Sequence, residues 1–391
     1  MQSLVRHVYV HVPFCARKCP YCDFNSYAGR QADEAPYVAA LLEEARSRVR
    51  GVEPTTLYVG GGTPTLLEAG RLEDLLVGLR GIVGDGRLEE FTVEANPGTV
   101  DRETARALRR AGVGRISLGA QSFEDHHLRT LGRIHRARDT VRSVDLLREE
   151  GIEHLSLDLI LAVVGADLDD LMRDLECALA LEPEHVSAYV LTIEEGTPFH
   201  RMVREGRLPA CDGERELAHL HAAVERLEAA GHRRYEISNF TRDGAVCRHN
   251  LAYWRDRDWV GLGAGAHSHD GARRMGNVRD PAAYARHVAE AGDAISWVET
   301  SPPLVRLFDA LMMGLRLIEG VDLDEAAERT GCDARTAWPE ALERHLEEGL
   351  LVLDDARLRL SPRGLDLASW VLRDLLPDVA PTVEVRIAET A

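Results

Sequence analysis

The first two-thirds of the chain alternates short β-branched, apolar runs with longer stretches in which apolar residues recur every three or four positions. The short runs predict strands over His7–Val12, Thr56–Val59, Phe91–Glu94, Arg115–Leu118, His154–Leu161, His185–Leu191 and Arg234–Ile237. The periodic stretches predict helices over Tyr37–Val49, Glu68–Ile82, Arg102–Ala111, Ala137–Glu150, Leu168–Leu181 and Glu214–Ala230. A β-α-β-α order implies a parallel sheet covered by helices, because parallel neighbours need a long crossover. Several of the strands run into glycine or polar residues at their carboxyl ends, the edge at which such sheets bind ligands.

The pattern changes near Ser301, where Pro302 and Pro303 mark a boundary between residues 1–300 and 301–391. Beyond it, Asp322–Thr330 and Ala334–Glu348 read as paired helices and Leu350–Leu360 as a two-stranded wing, a winged-helix-like module. Between Asp322 and Leu376 there are 13 acidic residues against 7 arginines, so the module is a poor phosphate binder and packing or partner contact is expected of it. The net charge of −18 over all 391 residues likewise excludes broad nucleic-acid binding. The chain has no apolar run long enough for a membrane span and no secretory signal pattern, which with its unpaired cysteines predicts a cytoplasmic protein.

Candidate chemistry is concentrated in HVPFCARKCPYCDF, where Cys15, Cys19 and Cys22 have the spacing C-x3-C-x2-C. Three close thiolates can hold three corners of a cubane iron–sulfur cluster and leave the fourth iron open. Zinc is the competing reading. It usually takes four ligands in paired knuckles, whereas the next cysteine is Cys177 and only His11 is near enough to be a fourth ligand. A disulfide frame does not fit, since Cys177, Cys211, Cys247 and Cys332 are isolated and the total of seven is odd.

Downstream strands end in groups suited to a small polar ligand. Leu57–Val59 leads into Gly60, Gly61, Gly62, Thr63 and Pro64, where glycines permit close backbone approach, though a plain tight turn would look the same. Glu94, Gln121 and Asp158 fall at or in the strands that follow. Any one of them alone reads equally as a capping or structural residue. The run Gly261-Leu-Gly-Ala-Gly-Ala-His267-Ser-His269 has the order G-x-G-x-G, which is not the dinucleotide fingerprint, and is expected to be a glycine turn near the substrate opening.

Taken with the cysteine motif, the strings YVHVPFC, GGGTPTLL, EANPG, SLGAQSF, LGRIH, YEISNF and RHNLAYW resemble the radical S-adenosylmethionine superfamily. Within it they resemble the branch containing oxygen-independent coproporphyrinogen III oxidase and the related heme chaperones. The resemblance implies an α/β fold, an incomplete (β/α)6 barrel followed by the winged-helix-like module. It implies a [4Fe–4S] cluster on Cys15, Cys19 and Cys22, with S-adenosylmethionine chelating the open iron. Gly61, Gly62 and Thr63 would then meet the methionine end of that cofactor. Glu94, Gln121, Arg133 and Asp158 would hold its carboxylate, ribose and polar tail, with Tyr9 packed beside it. No residue is assigned a catalytic role.

Two features distinguish chaperone from oxidase. The oxidase carries a further cysteine two residues after the third, where this chain has Phe24, and an extension ahead of the cluster motif, where this chain already has its first cysteine at position 15. Both favour a heme chaperone over a decarboxylating enzyme. The segment His249-Asn250-Leu251-Ala252-Tyr253-Trp254 resembles a heme-binding motif, with His249 as axial ligand and Cys247 as a less favoured one. A buried histidine bonded to local groups is the alternative. The implied partners are heme, apo-heme proteins such as respiratory cytochromes, an electron donor for the cluster and a second copy of the chain; membrane association would come only through partners. One segment departs from the resemblance: relatives read close to DLIYGLPGQT, whereas this chain has DLILAVVGAD from Asp158 to Asp167. The loss of glycine and proline there puts the local loop, and the fit around the cofactor, in question.

Overall fold

Six strands lie side by side in chain order, all parallel: β1 (His7–Val12), β2 (Thr56–Gly61), β3 (Glu90–Ala95), β4 (Arg115–Gln121), β5 (His154–Leu161) and β6 (His185–Val190). A computed structural model describes residues 6–49, 52–84, 86–210 and 212–387; Cys211 lies outside the described residues. Each strand is followed by a crossover helix: α1 (Glu34–Arg48), α2 (Ala69–Val83), α3 (Arg102–Arg110), α4 (Ala137–Glu149), α5 (Leu168–Ala180) and α6 (Gly213–Ala229). Acidic N-caps start four of them: Glu68 accepts from the Gly70 amide at 3.2 Å, Asp101 from Thr104 at 2.8 Å, Asp167 from Asp170 at 2.8 Å, and Asp212 from Glu214 at 3.2 Å.

Successive side chains on a strand point to opposite faces, and here the two faces differ in chemistry. Val8, Val10, Leu57, Val59, Val93, Ile116, Leu118, Leu157 and Val186 are buried in one core with Leu41, Leu75, Leu108, Leu147, Leu175 and Leu227 of the helices. The alternate set, Tyr9, Tyr58, Glu94, Ser117, Asp158 and Ser187, faces inward and lines a cavity. In register, Glu94 lies beside Ser117, Ser117 beside Ser156, and Ser156 beside His185, which makes a polar level across four strands. The sheet does not close. Beyond β6 comes the antiparallel β7 (Asn239–Thr241), and beyond β1 the parallel β8 (Trp259–Leu262). The fold is an incomplete barrel, as expected.

The residues near the carboxyl end follow a second core built from Leu307, Leu311, Leu323, Leu342, Leu351, Leu358 and Val371. Its wing is the hairpin Leu351–Asp354/Arg357–Leu360, extended by Val321–Asp322. The single helix expected over Ala334–Glu348 is broken into Ala334–Ala337 and Pro339–Glu347. Pro339 removes an amide and forces Trp338 out of the helical region, to φ −137° and ψ 53°. The strand expected over Arg234–Ile237 is also not one strand. Arg233–Arg234 pairs back on β7, with the intervening residues forming the turn. Thr382–Val385 returns to the large sheet and pairs with Ile295–Thr300, a connection no local pattern signals.

The glycine-rich run is displaced from its expected place. Gly263 (φ +99°) packs where a Cβ would lie 2.5 Å from the His11 carbonyl and 2.6 Å from the Tyr37 hydroxyl. Gly265 packs against Asn25. The run therefore supports the outer side of β1, and none of its residues lines the cavity.

The departing segment after β5 resolves into a specific arrangement. Ala162 holds a left-handed conformation (φ +53°) at the position where the resemblance leads one to expect glycine. Val163 packs with Leu131, Leu191 and Phe199, and Val164 and Tyr21 join the same cluster, so these substitutions build the apolar wall beside the cysteine loop. Asp167 caps α5 in place of the usual threonine. The left-handed region costs a residue with a Cβ about 1–2 kcal/mol. Ala162→Gly should recover part of this, raising unfolding stability by about 0.5–1 kcal/mol after the extra freedom of the unfolded glycine is subtracted. Urea unfolding of the two proteins checks it, and a less stable Ala162→Gly variant would show that the alanine methyl packs usefully.

Candidate functional site

The cysteine loop leaves β1 at its carboxyl end and is tied back at several points. The Tyr27 amide donates to the Pro13 carbonyl (2.8 Å), the Cys22 amide to the Cys19 carbonyl (3.1 Å), and Lys18 Nζ to the Phe24 carbonyl (2.9 Å). His11 Nε2 donates to the Asn25 carbonyl (2.8 Å), while its Nδ1 meets the Tyr9 hydroxyl (2.9 Å). Both His11 ring nitrogens are thus engaged, which removes it as a fourth ligand beside the cysteines. Two outside elements hold the loop from above. The Phe199 amide donates to the Pro20 carbonyl (3.0 Å), and a Cβ on Gly132 would lie 2.5 Å from Pro20 Cδ.

Gly61 and Gly62 are dictated by close approach. Gly61 has φ +107°, and a Cβ there would sit 2.4 Å from the His11 ring; one on Gly62 would be 2.7 Å from the Phe14 carbonyl oxygen. This proximity lets the Thr63 amide donate to that carbonyl (2.8 Å) and sets Thr63 Oγ1 3.6 Å from Cys15 Sγ. Asn96 Nδ2 donates to Thr63 Oγ1 (2.7 Å). Asn96 Oδ1 in turn accepts from Arg133, whose guanidinium also donates to the Gly119 carbonyl (2.9 Å) and reaches to 3.8 Å from Cys19 Sγ. Cys15, Thr63, Asn96, Arg133 and Cys19 therefore form one continuous polar rim.

Below the rim, Glu94 accepts from the Gly61 amide (2.9 Å) and the Tyr58 hydroxyl (2.8 Å). Burial raises its carboxyl above the usual range, opposed by those two donors. Asp158 accepts from Ser117 Oγ (2.9 Å) and Ser156 Oγ (3.2 Å), and burial likewise raises its carboxyl. Gln121 sits at φ +67° where the register between β4 and β5 shifts, a strained position at the strand end. Tyr9, the cysteines, Gly61, Gly62, Thr63, Glu94, Gln121, Arg133 and Asp158 all line one cavity of about 550 Å³.

His249 lines the same cavity from its floor, beneath the amino ends of the strands. It starts the short helix α7 (Arg248–Trp254), whose first amides are capped by Glu90: Arg248 N–H to Oε2 at 2.8 Å and His249 N–H to Oε1 at 3.1 Å. Its Nδ1 meets Thr56 Oγ1 (2.7 Å) and its Nε2 meets the Tyr253 hydroxyl (2.9 Å), with Tyr58 stacked on the ring. Burial, with a smaller push from His7, lowers its pKa to about 3, so the imidazole is neutral. A neutral ring is the ligand form, yet both nitrogens already have partners. Cys247 is buried and its thiol is pushed up to about 12 by burial and by Glu90, to which Sγ donates at 3.6 Å.

Sequence reasoning missed the interior polar lining: Tyr58, Asn96, Arg115, Ser117, Ser156, His185 and Ser187. The signal was present as polar residues spaced two apart within otherwise apolar strands.

The arrangement of thiols bears on which group they hold. Tetrahedral zinc keeps its thiolates within about 4 Å of one another, given Zn–S bonds of about 2.3 Å. Among the described residues, only His126, His127 and Asp170 bring three donor atoms within 4.8 Å of one another. The three cysteine sulfurs do not all fall within that distance of one another, which suits ligands on three different irons of one cluster.

Residues 9–178 match the radical SAM superfamily, and residues 302–367 match the HemN C-terminal domain. The heme chaperone HemW of Bacillus subtilis is 33% identical over 379 residues, covering 96% of this chain and 100% of its own. The chain belongs to the HemW family. HemW of Mycobacterium tuberculosis is 39% identical over 378 residues, 94% of each chain. Among solved structures, the coproporphyrinogen III oxidase HemN from Escherichia coli, a radical SAM enzyme, matches with a TM-score of 0.83 at 21% identity, covering 96% of this chain and 91% of its own. That likeness is one of fold. The radical SAM domain of this HemW-family chain implies a [4Fe–4S] cluster and S-adenosylmethionine, and the cavity's donors suit both. No helix among the described residues is long and apolar enough to cross a membrane.

Proposed function

We propose that this chain is a cytoplasmic heme chaperone that binds heme beside a cluster and S-adenosylmethionine and passes the heme to apo-heme proteins. The observation that carries the reading is the single cavity running from Cys15, Cys19 and Cys22 at its rim to His249 at its floor. When bound, the cluster supplies one-electron chemistry and an iron open to the methionine amino and carboxylate groups. The chain's own part is recognition. Thr63 and the Gly61–Gly62 backbone receive the methionine end. Arg133 offers a half-buried guanidinium to a carboxylate, and Glu94 and Asp158 accept from hydroxyls and amines. Tyr9, stacked against Tyr58, provides an apolar wall. The chain's Phe24, 60% exposed at the cavity mouth, stands where the oxidase carries its additional cysteine.

Heme contact is assigned to His249 Nε2, which becomes available when the Tyr253 hydroxyl turns away. Two substitutions separate this from a structural histidine. His249→Ala should weaken heme binding by about tenfold or more, and Tyr253→Phe, which frees Nε2 without removing the ring, should strengthen it. Heme titration followed by absorbance reads both. Unchanged affinity in His249→Ala would place the heme elsewhere on the chain.

A further inference from the structure

Outside the cavity, on the far side of the β4 carboxyl end, three donor side chains converge without any role in the site described above. His126 and His127 lie on the short helix Asp125–Thr130, and Asp170 lies in the first turn of α5. One donor atom from each falls within 4.8 Å of the others. His127 is the unusual member: it is 2% exposed, yet neither of its ring nitrogens has a hydrogen-bond partner, and Nε2 only approaches Asp170 Oδ2 at 3.2 Å. A buried imidazole left without hydrogen bonds is costly unless something else fills its lone pair.

We infer that His126, His127 and Asp170 form a binding site for a divalent transition-metal ion of the zinc type. Two imidazoles and a carboxylate are the donor set such an ion takes when one position stays open to water or a further ligand. Calcium and magnesium, which require oxygen donors, do not suit it. The surroundings supply outer support. Asp170 Oδ2 accepts from the Asp167 amide at 3.1 Å, which orients the carboxylate. Glu124 Oε2 lies 3.6 Å from His126 Nδ1 and is placed to become a fourth ligand. Asp174 Oδ1 is held by Ser122 Oγ (3.0 Å) and the Phe123 amide, which fixes a further carboxylate close to these donors.

Arg173 is the competing cation. It pairs with Asp170 and, at 2.9 Å, with Glu124, and is itself half exposed, so an incoming ion displaces a surface pair of small worth. An ion here would tie the end of β4, five residues beyond Gln121, to the start of α5. The site is separate from the cysteines and its existence does not depend on heme delivery.

The test uses the full chain with its iron–sulfur cluster reconstituted, so that Cys15, Cys19 and Cys22 are occupied, and Cys177→Ser as the background. Zinc ions are titrated in competition with a chromophoric chelator. One ion per chain is expected to bind. His126→Asn, at an exposed position, and His127→Asn should each weaken it by about 30-fold or more. Arg173→Ala should tighten it by about two- to fivefold, because it releases Asp170 and Glu124. Absence of binding, or equal affinity in His126→Asn and the parent, would overturn the assignment and leave His127–Asp170 as an ordinary ion pair.

Discussion

Cys19→Ser is expected to abolish the iron–sulfur cluster, lowering iron and sulfide from about four of each per chain to near zero after anaerobic reconstitution. The effect is large because the loop offers no substitute. His11 is held by Tyr9 and the Asn25 carbonyl, and among the described residues the other cysteines lie away from the loop: Cys177 on α5, Cys247 on the cavity floor and Cys332 in the carboxyl-terminal module. Loss of the sulfur also removes the group that faces Arg133 at 3.8 Å. Cys177→Ser, at an exposed site, should keep full iron content and serves as the control. Retention of a full cluster by Cys19→Ser would mean that another residue completes the site.

Gly61→Ala should be strongly disruptive for a single added methyl. Its φ of +107° is a conformation alanine rarely adopts, worth about 1–3 kcal/mol. The added Cβ would also meet the His11 ring at 2.4 Å, and that ring cannot step aside without giving up both of its hydrogen bonds, which adds about 1–3 kcal/mol of overpacking. The Gly61 amide would shift away from Glu94, so S-adenosylmethionine binding should fall with stability. Gly84→Ala is the informative comparison, since Gly84 has φ +76° but nothing within 4 Å of its would-be Cβ. With φ +76° and ψ 162° it should lose only the backbone cost of about 1–3 kcal/mol, without the added overpacking. Urea unfolding of both variants, with calorimetric titration of S-adenosylmethionine, measures the difference. Equal losses would show that backbone conformation alone, and not the His11 contact, sets the cost.

The contrast between those two glycines illustrates what the sequence could and could not convey. The strands and helices of the barrel were legible because each obeys its own period, and the strand-end residues Glu94 and Asp158 were legible as polar groups in apolar runs. Cys15, Cys19 and Cys22 were legible from spacing alone. The Asn96–Thr63–Arg133 rim was not, because its members lie 33 and 37 residues apart and meet only once the strands are parallel. The break at Pro339 was visible but was outweighed by helical periodicity on both sides. The return of Thr382–Val385 to the large sheet depends on a partner strand more than 80 residues earlier, and no local pattern encodes it. At His249 the motif was legible but its bonding was not: Thr56 and Tyr253 satisfy both nitrogens, a fact that turns on where α7 sits beneath the barrel. Ala162 is the reverse case, a departure that looked damaging but keeps the glycine-like backbone and leaves its neighbours to wall the cysteine loop.

Heme transfer is the measurement that bears most directly on function. The reconstituted chain, loaded with heme under anaerobic conditions, should pass it to an apo-heme protein, with the acceptor's absorbance bands growing as the donor's decline. The same preparation should form no protoporphyrinogen from coproporphyrinogen III. Decarboxylation of coproporphyrinogen III coupled to consumption of S-adenosylmethionine, without heme transfer, would contradict the account.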